Sequence, residues 1–102
     1  MQRGSGGEPM RLVSNPLFLT GRLFTTPAAF EAITPTEMES ALNRHILGDW
    51  GDLVEEDRQA NAKALLTGLS LLSAYSNDRG TTFLIITEAD RSASYILLPS
   101  DY

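Results

Sequence analysis

The stretch LSLLSAYSNDRGTTFLIITEADRSASYILL, residues 69–98, decides the fold. It contains three runs dominated by apolar, β-branched and aromatic residues, at 69–76, 81–88 and 93–98, and each reads as a strand. Between them lie Asn77-Asp78-Arg79-Gly80 and Ala89-Asp90-Arg91-Ser92, clusters of turn-forming residues. Links this short join antiparallel neighbours, because a parallel crossover needs a dozen or more residues. The C-terminal third is therefore expected to be an antiparallel meander.

Upstream, residues 17–24 (LFLTGRLF) read as a further strand, with Gly21 marking a bulge or a close backbone approach. Thr26-Pro27 offers a helix cap followed by proline at the first helical position, and Phe30 and Ile33 give the short helix one apolar face. The spacing in Thr34-Pro35-Thr36-Glu37 is that of a capping box and predicts a helix over 35–47, with Met38, Ala41, Leu42 and Ile46 as its apolar stripe and Gly48 to end it. Asp52 and Glu55 repeat the capping-box spacing and predict a third helix to about residue 67, before Gly68. The fold class that follows is α+β: a single small domain over residues 15–102, with an antiparallel three- or four-stranded sheet and two to three helices packed on one face. Residues 1–14, with Gly4-Ser5-Gly6-Gly7-Glu8-Pro9, read as a flexible leader or an expression remnant, Met10 being a candidate natural start.

At 102 residues the chain has the length of one domain, and its 42% hydrophobic and 21% charged content is ordinary for a globular protein. There is no cysteine, which excludes thiol catalysis, iron–sulfur clusters, cysteine-ligated zinc and disulfides. The net charge of -5 argues against direct nucleic-acid binding through phosphate neutralisation and suits basic partners. No apolar run approaches the ~20 residues needed to span a bilayer. A soluble, cytoplasmic protein without membrane contact is the expectation.

The polar residues that fall among apolar stripes are the candidates for function. His45 lies four residues beyond Ala41 and seven beyond Met38, so it points inward, either as a core histidine or as a base with Asp49 as its nearest partner. Asp57 and Asn61 sit at spacings of four and eight from Leu53, on a face shared with Ala60 and Ala64, which predicts that both are buried and hydrogen-bonded. Asp49, Asp52, Glu55, Glu56 and Asp57 crowd the start of the third helix, where the helix dipole favours carboxylates, and their spacing does not match a calcium loop. Trp50, flanked by Gly48 and Gly51, is either a core plug or an exposed stacking surface. Glu88, Asp90 and Arg91 concentrate in the last hairpin turn, where Arg91 is placed to pair inward with Asp57 or Glu88. There is no nucleophile elbow and no glycine-rich phosphate loop, so no cofactor or metal is implied and nothing demands catalysis.

Along HILGDWG (45–51), Asp57, Asn61, IITEADRS (85–92) and the ending from Leu97-Leu98-Pro99 to Tyr102, the chain resembles small bacterial proteins carried on plasmids and other mobile elements. The resemblance implies an accessory gene of mobile DNA and brings no activity with it. Two readings follow. The first is a non-enzymatic binding protein that engages a host protein through an acidic, partly aromatic surface. The alternative is a small hydrolase or ligand-binding domain whose pocket gathers His45, Asp49, Asp57, Asn61, Glu88, Asp90 and Arg91.

Overall fold

A computed structural model describes residues 15–102; the leader assigned to residues 1–14 lies outside them. Among the described residues the chain forms β1 (Arg22–Thr25), α1 (Pro27–Ala32), α2 (Pro35–Ile46), α3 (Glu55–Thr67), β2 (Leu71–Ser76), β3 (Thr82–Thr87) and β4 (Ala93–Leu97), then a 3-10 turn over Pro99–Asp101. The four strands make one sheet in the order β1-β4-β3-β2. The expected meander is present, with β2–β3 and β3–β4 antiparallel. β1 departs from the expectation of a purely antiparallel sheet: it lies parallel to β4, with Leu23 opposite Ser94 and Thr25 opposite Ile96. The helices and the rest of the sheet intervene between these strands, and a connection of that length permits parallel pairing.

The expected strand at 17–24 shortens to four residues. Gly21 adopts φ +65 and its backbone passes so close to Ser92 that a Cβ there would lie 2.3 Å from the Ser92 carbonyl, so the chain bends rather than extends before Arg22.

Both early helices begin as their caps dictate. Thr26 Oγ1 accepts the Ala29 N–H, and Thr34 and Glu37 exchange the two bonds of a capping box. All four residues of the α2 stripe are buried. The start of α3 differs from the sequence expectation: its N-cap is Val54, with no side-chain cap, and Asp52 is drawn away to β2, where its N–H donates to the Ala74 carbonyl at 2.7 Å.

The sheet has two unlike faces. Phe83 and Ile85 of β3, Tyr75 of β2 and Ile96 of β4 pack with Ala29, Ile33, Met38, Ala41 and Leu42 in the main core. A second cluster joins Phe18, Ile46, Trp50, Ala64 and Leu71. The opposite face carries Leu72, Ala74, Leu84, Ile86, Tyr95 and Phe24, by the alternation of the strands and their register. The buried residues of α1, α2 and α3 all belong to the first face, so the second has no helical cover among the described residues.

Candidate functional site

His45 is fully buried in α2 and forms the centre of a chain of hydroxyls on the inner sheet face. Its Nδ1 lies 2.5 Å from Ser73 Oγ and its Nε2 lies 2.9 Å from Thr87 Oγ1; Thr87 Oγ1 is 2.7 Å from Ser94 Oγ, which donates to the Thr20 carbonyl at 2.8 Å. These directions fix the tautomer. Because the Ser94 proton goes to Thr20, Thr87 must donate to Ser94, and His45 must then donate from Nε2 to Thr87. Ser73 in turn donates to the free Nδ1. Every proton has one acceptor only in this order.

The same ring lies among aromatics. Phe18 and Trp50 stack on each other with centroids 6.2 Å apart, and each meets His45 edge to face, at 5.1 and 5.7 Å. The Arg91 guanidinium lies over Phe18, 5.7 Å from its centroid. Burial, reinforced by the Arg91 charge, lowers the His45 pKa to about 3, so the ring is neutral near pH 7. A hydrolytic base needs access to substrate, and this imidazole has none. His45 is the core histidine of the two sequence readings, and Trp50 is the core plug.

Asn61 is buried as expected. Its Nδ2 donates to the Leu72 carbonyl at 2.6 Å and its Oδ1 accepts the Leu72 N–H at 3.1 Å. Asp57 and Ala60, expected on the same buried face, are exposed. α3 starts only at Glu55 and Val54 is extended, so Leu53 does not set the helical face. Asp57 shares the phase of Asn61 and Ala64 but stands in the first turn of the helix, where it is exposed, and only the later positions of that face are buried.

Arg91 does not reach Asp57, nor does it pair with the Glu88 carboxylate. It donates to the carbonyls of Leu69 at 2.7 Å, Glu88 at 3.1 Å, Ala89 at 3.2 Å and Ala64 at 3.2 Å. The hairpin and α3 are thus joined, but at the C-terminal end of the helix, where the Ala64 carbonyl also accepts the Gly68 and Leu69 N–H groups and a cation complements the helix dipole. α3 has no basic residue in its own last turn, and Arg91 supplies the charge from the turn between β3 and β4. It does so from a left-handed backbone position, φ 62.

Glu88 and Asp90 remain at the hairpin end: Glu88 accepts from the Tyr95 hydroxyl at 2.5 Å, and Asp90 accepts the Ser92 N–H at 3.0 Å. Asp49 turns away from His45 to Arg44, which it meets at 2.8 Å while Arg44 lies 4.7 Å over the Tyr75 ring. That contact and the Gly51 N–H hold the Asp49 carboxyl below its ordinary pKa. The expected pocket residues therefore divide between core, surface ion pair, helix flank and hairpin tip. A separate shallow cleft of about 300 Å³ opens beside Glu37, Arg44, Tyr75, Asn77 and Phe83. Its charged side chains are already paired, Glu37 with Arg79 at 3.0 Å and Arg44 with Asp49.

Phe18, Ser73, Thr87 and Ser94 were not singled out from sequence. A signal for three of them exists: alternation places Ser73 between Leu71 and Tyr75, Thr87 after Ile85, and Ser94 before Ile96 on the face of their apolar neighbours. No helix among the described residues is long and apolar enough to cross a membrane, and no group of three or more His, Asp or Glu side chains among them is arranged to hold a metal ion. No protein-family model, curated protein or solved structure matches the chain.

Proposed function

We propose that the chain is a non-enzymatic accessory binding protein of mobile-element origin, acting in the cytoplasm, and that it engages a host protein through the helix-free face of its sheet. One observation carries this reading. Register aligns Leu72, Ile86, Tyr95 and Phe24 in a row across all four strands, with Ala74 and Leu84 in the next row, and no α-helix covers them among the described residues. An apolar, partly aromatic face of this kind suits a protein partner, and Glu88 and Asp90 give its hairpin end an acidic rim. The motif residues His45, Trp50, Asn61 and Arg91 are meanwhile engaged in internal packing and hydrogen bonds, which weighs against the alternative of a small hydrolase with a His/carboxylate/Arg pocket.

The test is photocrosslinking in a host lysate, with a benzophenone amino acid at Ile86 or Leu84 and, as control, at Gln59 on the exposed flank of α3. The expected outcome is one partner captured from the sheet positions and lost on Tyr95→Arg substitution. Capture from Gln59 alone, or capture indifferent to Tyr95→Arg, would overturn the reading.

A further inference from the structure

The two edges of the sheet are treated differently by the chain. Along β2, the edge-facing backbone groups are closed: Ala74 bonds to Trp50 and Asp52, and Leu72 bonds to the Asn61 carboxamide. Along β1, Arg22 and Thr26 donate inward to the carbonyls of Ser92 and Ile96, so by alternation Leu23 and Thr25 direct their N–H and C=O groups to the open edge. No described segment covers them, and Leu23 and Phe24 are 39% and 41% exposed. An open edge with exposed apolar side chains is a template for another strand.

We infer that β1 is a self-association strand that pairs antiparallel with β1 of a second copy of this chain, merging two sheets into one of eight strands. The backbone selects a single register. Edge-facing residues must oppose edge-facing residues, so the two-fold axis falls on Leu23, Phe24 or Thr25. An axis on Leu23 brings Thr25 against Gly21, whose φ of +65 is not extended. An axis on Thr25 brings Leu23 against Pro27, which has no N–H. The axis on Phe24 pairs Leu23 of each copy with Thr25 of the other and uses every open donor and acceptor of the strand.

Charge complementarity supports the same register. It places Arg22 of one copy opposite Thr26 of the other, and the Thr26 hydroxyl donates at 2.7 Å to the carboxylate of Asp101. Within one chain, among the described residues, neither charge has an ion-pair partner: the Arg22 guanidinium lies over the Phe24 ring at 5.4 Å, and Asp101 is held by Thr26 and the Leu98 N–H. The two-fold brings these opposite charges together twice, as an isologous contact requires. On the outer face the register also sets the two Phe24 rings side by side, each already stacked on its own Tyr95 at 5.4 Å. This inference does not depend on the proposed function.

The experiment is sedimentation equilibrium on the full chain, with amide hydrogen exchange at Leu23 and Thr25. The expected result is a species of twice 11.1 kDa at high concentration and slower exchange of both amides as it forms. Arg22→Glu and Asp101→Lys, both at the surface, should each raise the dimer Kd about tenfold or more by setting like charges together twice. Mixed in equal amounts, the two variants should form a heterodimer tighter than either homodimer, since one contact is then the original Arg22–Asp101 pair and the other is an ion pair of reversed polarity. Leu23→Pro should abolish pairing while leaving the β4 bonds intact. A monomer at all concentrations, a dimer indifferent to these variants, or a mixture no tighter than its components would overturn the inference.

Discussion

The carboxamide of Asn61 stands in for a neighbouring strand along Leu72, accepting its N–H at 3.1 Å and donating to its carbonyl at 2.6 Å. One residue pair along, Trp50 and Asp52 do the same for Ala74 with their backbones. The GDWG turn and the asparagine of α3 thus share one task, closing the β2 edge, although nine residues and a helix start separate them. A closed edge satisfies its polar groups and cannot template a foreign strand.

Asn61→Ala leaves the Leu72 N–H and C=O without partners in a half-buried position. The expected cost is about 1–3 kcal/mol, read as a lower urea midpoint. Asp57→Ala, at an exposed position of the same helix, should leave the midpoint unchanged within error. Equal effects of the two substitutions would mean that Asn61 is not a structural clamp.

Arg91→Ala removes a charged donor from four carbonyls and leaves the left-handed backbone position as strained as before, so the effect reads the guanidinium alone. A loss of about 2–3 kcal/mol is expected, with Arg91→Lys intermediate, because an ammonium cannot reproduce the planar fork. Thermal melts of the three proteins check this order. If Arg91→Ala melts like the unsubstituted chain, the guanidinium is not what holds α3 to the hairpin.

Gly51 and Gly68 both have positive φ, +77 and +75, yet they should respond differently to alanine. At Gly51 the new Cβ would stand 2.0 Å from the Ala74 carbonyl oxygen, whereas at Gly68 nothing lies within 4 Å. Gly68→Ala is expected to cost only the left-handed strain, about 1–2 kcal/mol, and Gly51→Ala considerably more, since the GDWG turn must leave the β2 edge. Circular dichroism melts of the two variants decide it.

What the sequence made legible was whatever local chemistry controls. The threonine caps of α1 and α2, the α2 stripe, the meander and the inward histidine each follow from spacing and composition within a dozen residues. The parallel placement of β1 was not legible, because it depends on which sheet edge remains free after the meander forms. The start of α3 differs from the sequence expectation because Asp52 has two competing uses, as a cap or as an edge partner of Ala74, and the β2 edge takes it. The sequence suggests Arg91 as one half of an ion pair, but the fold gathers four carbonyls around its guanidinium, while Asp57 is exposed and Glu88 is taken by the Tyr95 hydroxyl.

The stability of the fold depends on pH through His45. In an unfolded chain the imidazole titrates near 6.5, while in the core burial and then Arg91 lower it to about 3. Between those values the unfolded state binds a proton that the folded state refuses, so the stabilisation is fully present above pH 6.5 and is lost as pH falls toward 3. Glu37, lowered from 4.5 to about 2 chiefly by its bonds to Arg79, contributes in the same direction but only below about pH 4.5. The interval from pH 7 to pH 5 therefore isolates the histidine from that carboxylate, and over it the unfolding free energy should fall by about 2 kcal/mol. In His45→Gln, less stable at every pH because the hydroxyl chain is broken, this slope should vanish. Urea titrations at pH 7, 6 and 5 measure both, and nitrogen-15 shifts of the ring should report a neutral Nε2–H tautomer down to pH 5 in the folded protein. A ring that titrates near 6.5 while the chain stays folded would contradict the ordered chain from Ser73 to Thr20, because a protonated Nδ1 would turn the Ser73 hydroxyl away from its acceptor.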